Sequence, residues 1–255
     1  MKRGALLACL LLGWGAAPAA AESLTASLST ARVAITSNYT GSSIVVFGVI
    51  ERDAQTVARA GAYDIIVTVR GPRQSIIVRV KEPFGPIWIN RAQQTFANVP
   101  TYIGVFASRA LAEITSDALR RRYRLGVDAI VSAPEFAGVK GAQDNSFREA
   151  LIRLRAREDL FVEDDKAVAF LTPNLFRAPL SVPATAPPGA YEVDIALLSD
   201  SVLLARAQTG FQLVKIGFEE RMGELARYQP VVYGGVTAAA ALLFGWLASI
   251  VFRRD

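Results

Sequence analysis

The stretch Tyr63-Asp64-Ile65-Ile66-Val67-Thr68-Val69 is rich in Ile and Val and runs into a Gly71-Pro72 turn. That composition fits a pleated, half-buried strand. Working outward, similar segments recur. Arg32 to Thr36 alternates, Ser43 to Ile50 is a β-branched run, Ser75 to Val80 alternates again, and Thr101 to Phe106 closes the set. Short strands broken by Gly and Pro every ten or so residues predict an antiparallel sandwich from Leu24 to Phe106.

The middle of the chain changes period. Ser108 to Leu125 places Leu111, Ile114, Ala118 and Leu119 at helical spacing and stops at Gly126. Ser146 to Asp159 opens on a capping box of Ser146 and Glu149, then repeats Phe147, Ala150, Leu151 and Leu154 on one face. Strand character returns from Phe161, with candidates at Ala167–Leu171, Leu180–Val182, Tyr191–Leu198, Val202–Ala207 and Gly210–Ile216. Gly61-Ala62-Tyr63-Asp64-Ile65 is echoed by Gly189-Ala190-Tyr191-Glu192-Val193, each opening a strand. A tyrosine at such a place pins a corner in immunoglobulin-like sandwiches. Two arrangements fit: two sandwich-like units flanking a helical insert, or one sandwich with a large insertion.

Both ends speak of a membrane. Val231 to Phe252 carries no charge over twenty-two residues and is followed by Arg253-Arg254-Asp255. As a helix it would measure about 33 Å, enough for a hydrocarbon core. Met1 to Ala21 has the parts of a cleaved secretory signal: Lys2 and Arg3, an apolar core from Ala5 to Leu12, and Ala19-Ala20-Ala21 before Glu22. A lipoprotein reading at Leu6-Leu7-Ala8-Cys9 is the rival. With Arg253 and Arg254 beside the span, these features predict a single-pass protein of the bacterial inner membrane, its ectodomain periplasmic and its carboxyl terminus cytoplasmic.

The expected divisions are 1–21 signal peptide, 22–107 first β unit, 108–160 helical insert and 161–218 second β unit. A juxtamembrane linker at 219–230, a transmembrane helix at 231–252 and a tail at 253–255 complete the chain. The fold class is thus mainly β, with immunoglobulin-like sandwich unit(s), an α-helical insert and one C-terminal transmembrane helix.

Composition narrows the chemistry. The chain has no histidine and a single cysteine, Cys9, inside the expected signal. That argues against Ser-His-Asp and Cys-His catalysis, thiol redox work and the usual zinc sites. No G-x-S-x-G or glycine-rich phosphate loop occurs beyond the signal. The expectation is therefore a protein without catalytic residues or cofactor. Removing Lys2 and Arg3 takes the net charge from +5 to +3, too little excess for a nucleic-acid binder. Glu163-Asp164-Asp165 lacks the spacing of a calcium loop and is expected to be a solvated turn. A carboxylate pair for hydrolysis is invisible to spacing, so a hydrolase stands third among the readings.

Three groups of residues are candidates for binding. Arg120, Arg121, Arg122 and Arg124, with Arg148, Arg153, Arg155 and Arg157, would share one region if the two helices pair. They would then suit an oxyanion, acidic headgroups or an acidic partner. The alternative is that they answer helix dipoles and neighbouring acids. Trp88 and Asn90, in Lys81-Glu82-Pro83-Phe84-Gly85-Pro86-Ile87-Trp88-Ile89-Asn90, are expected in the core by default, with an exposed docking edge as the alternative. Gly234, Ala238, Ala241, Gly245 and Ser249 form one small-residue face on the terminal helix. Such a face permits close packing against another membrane helix, or belongs to a simple alanine-rich anchor.

The Gly85-Pro86-Ile87-Trp88-Ile89-Asn90 segment, the Pro187-Pro188-Gly189-Ala190-Tyr191 strand opening, the Arg-rich middle and the terminal span resemble the putative transmembrane protein family of the alphaproteobacteria over nearly the whole chain. The resemblance brings no catalytic residues. It implies an accessory role beside a permease for sulfite or organosulfur export. The layout is also similar to larger exported proteins of aerotolerance operons, in architecture alone. The expected partners are the lipid bilayer and either another integral membrane protein, such as a permease, or a second copy of the chain.

Overall fold

The structure, a computed structural model, describes residues 22–36, 39–51, 62–133 and 145–252. The expected signal at 1–21 and the tail at 253–255 lie outside the described residues. The chain is mainly β, in two large sheets and one long hairpin. In the first sheet the order is β1 (Ser23–Leu28), β3 (Ser42–Glu51), β10 (Leu175–Val182), β9 (Ala169–Thr172). In the second it is β2 (Arg32–Ile35), β12 (Val202–Lys215), β11 (Gly189–Ser199), β4 (Asp64–Arg70), β7 (Ile103–Ala107), β8 (Phe161–Asp164).

Pairing decides between the two arrangements left open by the sequence. Strand β10 lies antiparallel to β3, with Leu180 opposite Ile44, and β11 lies antiparallel to β4, with Ile195 opposite Val67. Strands from before and after the insert thus interleave in both sheets. The division into a unit at 22–107 and another at 161–218 does not hold; they build one double-sheet body. The echoed segments open β4 and β11, which are neighbours in one sheet and not matching strands of two separate units. The Tyr191 hydroxyl does pin a corner, donating to the Pro187 carbonyl at 2.7 Å.

Aromatic rings fill the space between the sheets. Tyr191 stacks on Phe211 at 4.9 Å and leans on Tyr102 at 5.9 Å. The Tyr102 hydroxyl crosses to the other sheet and donates to the Ser181 carbonyl at 2.5 Å. Phe176 lies over Gly48, its cross-strand partner, where a Cβ would come within 2.3 Å of the ring. That glycine is a packing necessity, since any side chain there would displace a fully buried ring.

The second sheet is covered on both faces, which explains why β4 and β7 are buried along almost their whole length and rich in Ile and Val. Its outer cover is the insert: α1 (Leu111–Ile114), α2 (Asp117–Tyr123), α3 (Val127–Val131) and α4 (Asn145–Arg157). The helix expected over Ser108–Leu125 is broken at Thr115, whose backbone is extended, so α1 can lay Leu111 and Ile114 on the sheet. Helix α3 went unread; its Val127, Ala129, Ile130 and Val131 are all buried. Topology demands the insert as well. Strands β7 and β8 are parallel neighbours, and parallel neighbours require a crossover connection.

Two further elements leave this body. Strands β5 (Arg73–Phe84) and β6 (Ile87–Pro100) form a two-stranded hairpin, and β12 leads to α5 (Phe218–Tyr228) and α6 (Pro230–Val251).

Burial holds the Tyr102 and Tyr191 phenols above their ordinary value of 10.0. The folded chain therefore keeps those protons more tightly than the unfolded one. The associated stability is intact below pH 10.0 and is lost as the pH rises beyond it. Tyr102→Phe should lower stability near neutral pH by about 1 kcal/mol and make the alkaline loss shallower. Denaturant titrations of both proteins near neutrality and above pH 10.0 measure this, and parallel alkaline curves would contradict it.

Candidate functional site

The eight arginines are not gathered into one anion site. Arg120 is paired with Asp117, and the Arg122 guanidinium lies 5.6 Å from the centre of its neighbour's ring, Tyr123. Arg124 ends α2 in a left-handed conformation, φ 57°. Helix α3 packs against both α2 and α4, and Arg148 reaches Asp128 of α3 at 3.5 Å. Arg155 pairs with Glu158 at 2.9 Å, while Arg153 and Arg157 face solvent.

Arg120 and Arg121 do line a hollow of about 140 Å³, but Asp117, Asp128 and Glu163 line it too. Three carboxylates against two guanidiniums leave no positive surplus for an anion. The volume is also below the roughly 300 Å³ at which small-molecule sites begin. Glu163 is engaged within the fold, since its Oε1 accepts the Val127 amide at 2.5 Å and satisfies a free donor at the start of α3. The residue expected in a solvated turn is therefore in strand β8 and fastens a helix.

Sequence reasoning missed a second charged cluster. Asp194, in the middle of β11, is buried with its Oδ2 3.8 Å from Arg70 and 3.6 Å from Arg206. Arg206 also donates to the Tyr123 carbonyl at 2.6 Å and sits 5.8 Å from that ring's centre. Burial lowers the Arg70 pKa and the Asp194 charge opposes it. The cluster lies on the outer face of the second sheet and ties the end of α2 down to it. Asp64 does the same for the start of the insert, accepting from Arg109 at 2.8 and 2.6 Å and from Ser108 at 3.1 Å. An aspartate inside an apolar strand was the signal available for both. These are fasteners of the fold, and nothing in their geometry presents them to a ligand.

Apolar surface is where the molecule offers something outward. Trp88 is 69% exposed, so the core reading of this residue is wrong; it stands at the hairpin tip with Phe84, 67% exposed, and Ile87, 57%. A strand pair that runs on beyond its last support has no second layer to bury its rings. Asn90 is exposed on the same hairpin, opposite Lys81. Helix α6 is the other surface. It is apolar over Pro230–Ile250, with none of that window buried. Gly234, Ala238, Ala241, Gly245 and Ser249 are all on its surface, within an arc of about 80° at 3.6 residues per turn. Beyond the helix's own nearby backbone, no atom lies within 4 Å of a Cβ placed on Gly234 or Gly245. Thr237, beside this face, turns its hydroxyl back to the Tyr233 and Gly234 carbonyls at 3.0 Å.

A family model described as Putative transmembrane protein (Alph_Pro_TM) matches residues 23–254. No curated protein and no solved structure matches the chain.

Asp194→Ala would leave Arg70 and Arg206 facing each other over a buried gap. The expected cost is about 3 kcal/mol. Asp194→Leu combined with Arg70→Met should recover part of it, because the buried clash of two cations is gone and Arg206 keeps the Tyr123 carbonyl. Thermal unfolding of the parent and both variants decides; equal stability of the single and the double variant would remove the fastening role.

Proposed function

The chain belongs to the family described as Putative transmembrane protein (Alph_Pro_TM), and on that premise we propose a non-catalytic accessory or assembly subunit of a membrane complex. Its β-rich ectodomain lies in the periplasm and α6 is its one crossing of the inner membrane. The expected signal before Glu22 and the arginines after Phe252 support that orientation.

The observation that carries the role is the open small-residue face of α6. Glycines and alanines on a lipid-facing helix gain little from lipid, but let a second helix approach closely enough for backbone packing. Gly234 and Gly245 sit on this face, where the smallest residue permits the closest backbone approach. The partner is another integral membrane protein. The resemblance in sequence makes an exporter permease for sulfite or organosulfur compounds the first one to seek. Anion binding by the insert has no support of this kind, since at least four of the eight candidate guanidiniums are answered by carboxylates or a ring and the hollow lined by Arg120 and Arg121 holds three carboxylates.

Gly234→Leu with Gly245→Leu should abolish recovery of the partner while leaving the protein in the membrane. Crosslinking in native membranes, mild-detergent purification and mass spectrometry read the first; resistance to carbonate extraction reads the second. Undiminished recovery of a polytopic protein by the double variant would move the contact off this face. Recovery of nothing but the chain itself would end the accessory reading.

A further inference from the structure

The hairpin and the sheet beneath it are one continuous ladder. Strand β4 pairs with β7 from Ile66 opposite Ala107 to Arg70 opposite Ile103. The Gly71 amide then donates to the Tyr102 carbonyl at 2.8 Å and the Thr101 amide to the Pro72 carbonyl at 2.9 Å. Pairing resumes with Arg73 opposite Pro100 and runs, through two irregularities, to Phe84 opposite Ile87. The expected Gly71-Pro72 turn is thus a passage from sheet to arm. Beyond Val78 and Phe96, which are buried, the arm is clear of the body.

The arm leaves from the end of the sheet at which the chain departs for α6. Gly189 begins β11 and lies opposite Leu213, close to the last residue of β12. A Cβ on Gly189 would meet the Pro72 ring at 2.9 Å. The root of the arm and the exit of β12 are therefore neighbours. From Arg73 to Phe84 the arm measures about 37 Å at 3.4 Å per residue. From Lys215 to Pro230, with α5 helical, the chain spans about 30 Å at most. The tip can reach the level at which α6 starts.

We propose that the hairpin tip (Phe84, Pro86, Ile87 and Trp88) inserts into the interfacial layer of the bilayer that holds α6. The chemistry fits lipid. Tryptophan and phenylalanine beside short apolar residues favour the boundary between headgroups and acyl chains. Arg79, Lys81 and Arg91 stand exposed just behind the tip, against one carboxylate, Glu82, which Arg91 meets at 3.2 Å. Cations so placed meet anionic headgroups as the tip enters. Size argues against a protein occupant. The exposed parts of the three large side chains sum to roughly 400 Å², at about 150–250 Å² per buried aromatic. That is half of the roughly 800 Å² that each partner gives to a standard interface. The inference does not depend on the accessory role, because it needs no partner.

The test uses the full chain with Cys9→Ala and a single new cysteine carrying an environment-sensitive fluorophore, reconstituted alone into vesicles that contain quencher-bearing lipid. Labels go at Ile87→Cys and, as a second tip position, at Phe84→Cys. The control is Val202→Cys, 52% exposed at the opposite end of the second sheet, where β11 turns into β12. Both tip labels should be quenched at least about threefold more than the control, and more strongly with anionic lipid. Arg79→Glu with Lys81→Glu should diminish the difference. Equal quenching at tip and control overturns the proposal. So does a tip shielded in native membranes but open to water in vesicles, since a protein would then be its occupant.

Discussion

Strand β4 has no face turned to water, and the rest of the molecule is arranged around that fact. One face looks into the aromatic layer between the sheets, the other lies under the helices of the insert. Its first residue, Asp64, holds Arg109 and so the entry to the insert; its last, Arg70, meets Asp194 and through it the end of α2. Its edges are taken by β7 and β11. Burying a seven-residue strand on both sides is favourable only when every backbone group is paired and each charge at its ends has a partner. The two aspartate fasteners follow from this requirement.

The insert is a product of the same constraint. A parallel β7–β8 pair requires a crossover, and the outer face of the second sheet requires a cover. Four helices of modest length meet both needs. Four of the eight arginines that looked like a binding surface are engaged within this cover, with Asp117, Tyr123, Asp128 and Glu158. At least half of that positive charge is therefore taken up in holding helices, and the outward-looking apolar surface lies at the hairpin tip and on the terminal helix.

Much of this was legible in the residues. Strands such as Ser42–Glu51 and the apolar Pro230–Val251 helix announce themselves by alternation and by length. Others did not, for identifiable reasons. Strand β6, with Arg91, Gln93, Gln94 and Asn98, has two wet faces over most of its length and so no alternation to read. Val202–Ala207 and Gly210–Ile216 read as two strands but form one, with Gly210 inside it at a spot where a Cβ would come within 2.7 Å of the Tyr191 carbonyl. Trp88 was expected in the core because tryptophan usually is buried, and no local pattern tells a core ring from one at the end of an arm. Asp194 carries only the signal of an aspartate in an apolar strand, since no local spacing connects it to its partners Arg70 and Arg206.

The interleaving of the sheets also sets an order in time. Strand β3 finds one neighbour at once in β1, but its other, β10, comes more than a hundred residues later, and β4 waits as long for β11. Pairings that distant in sequence are slow to form and leave strand edges open meanwhile. A chain made from its amino terminus onward thus carries β3 and β4 half-paired until nearly all of it has appeared. Strand β12, which completes the second sheet by joining β11 to β2, is separated from the apolar helix only by α5 and its short joints. The last strand to arrive must therefore close the body when the chain is about to be tethered, so that assembly of the double-sheet body is finished at the surface of the membrane and not at a distance from it.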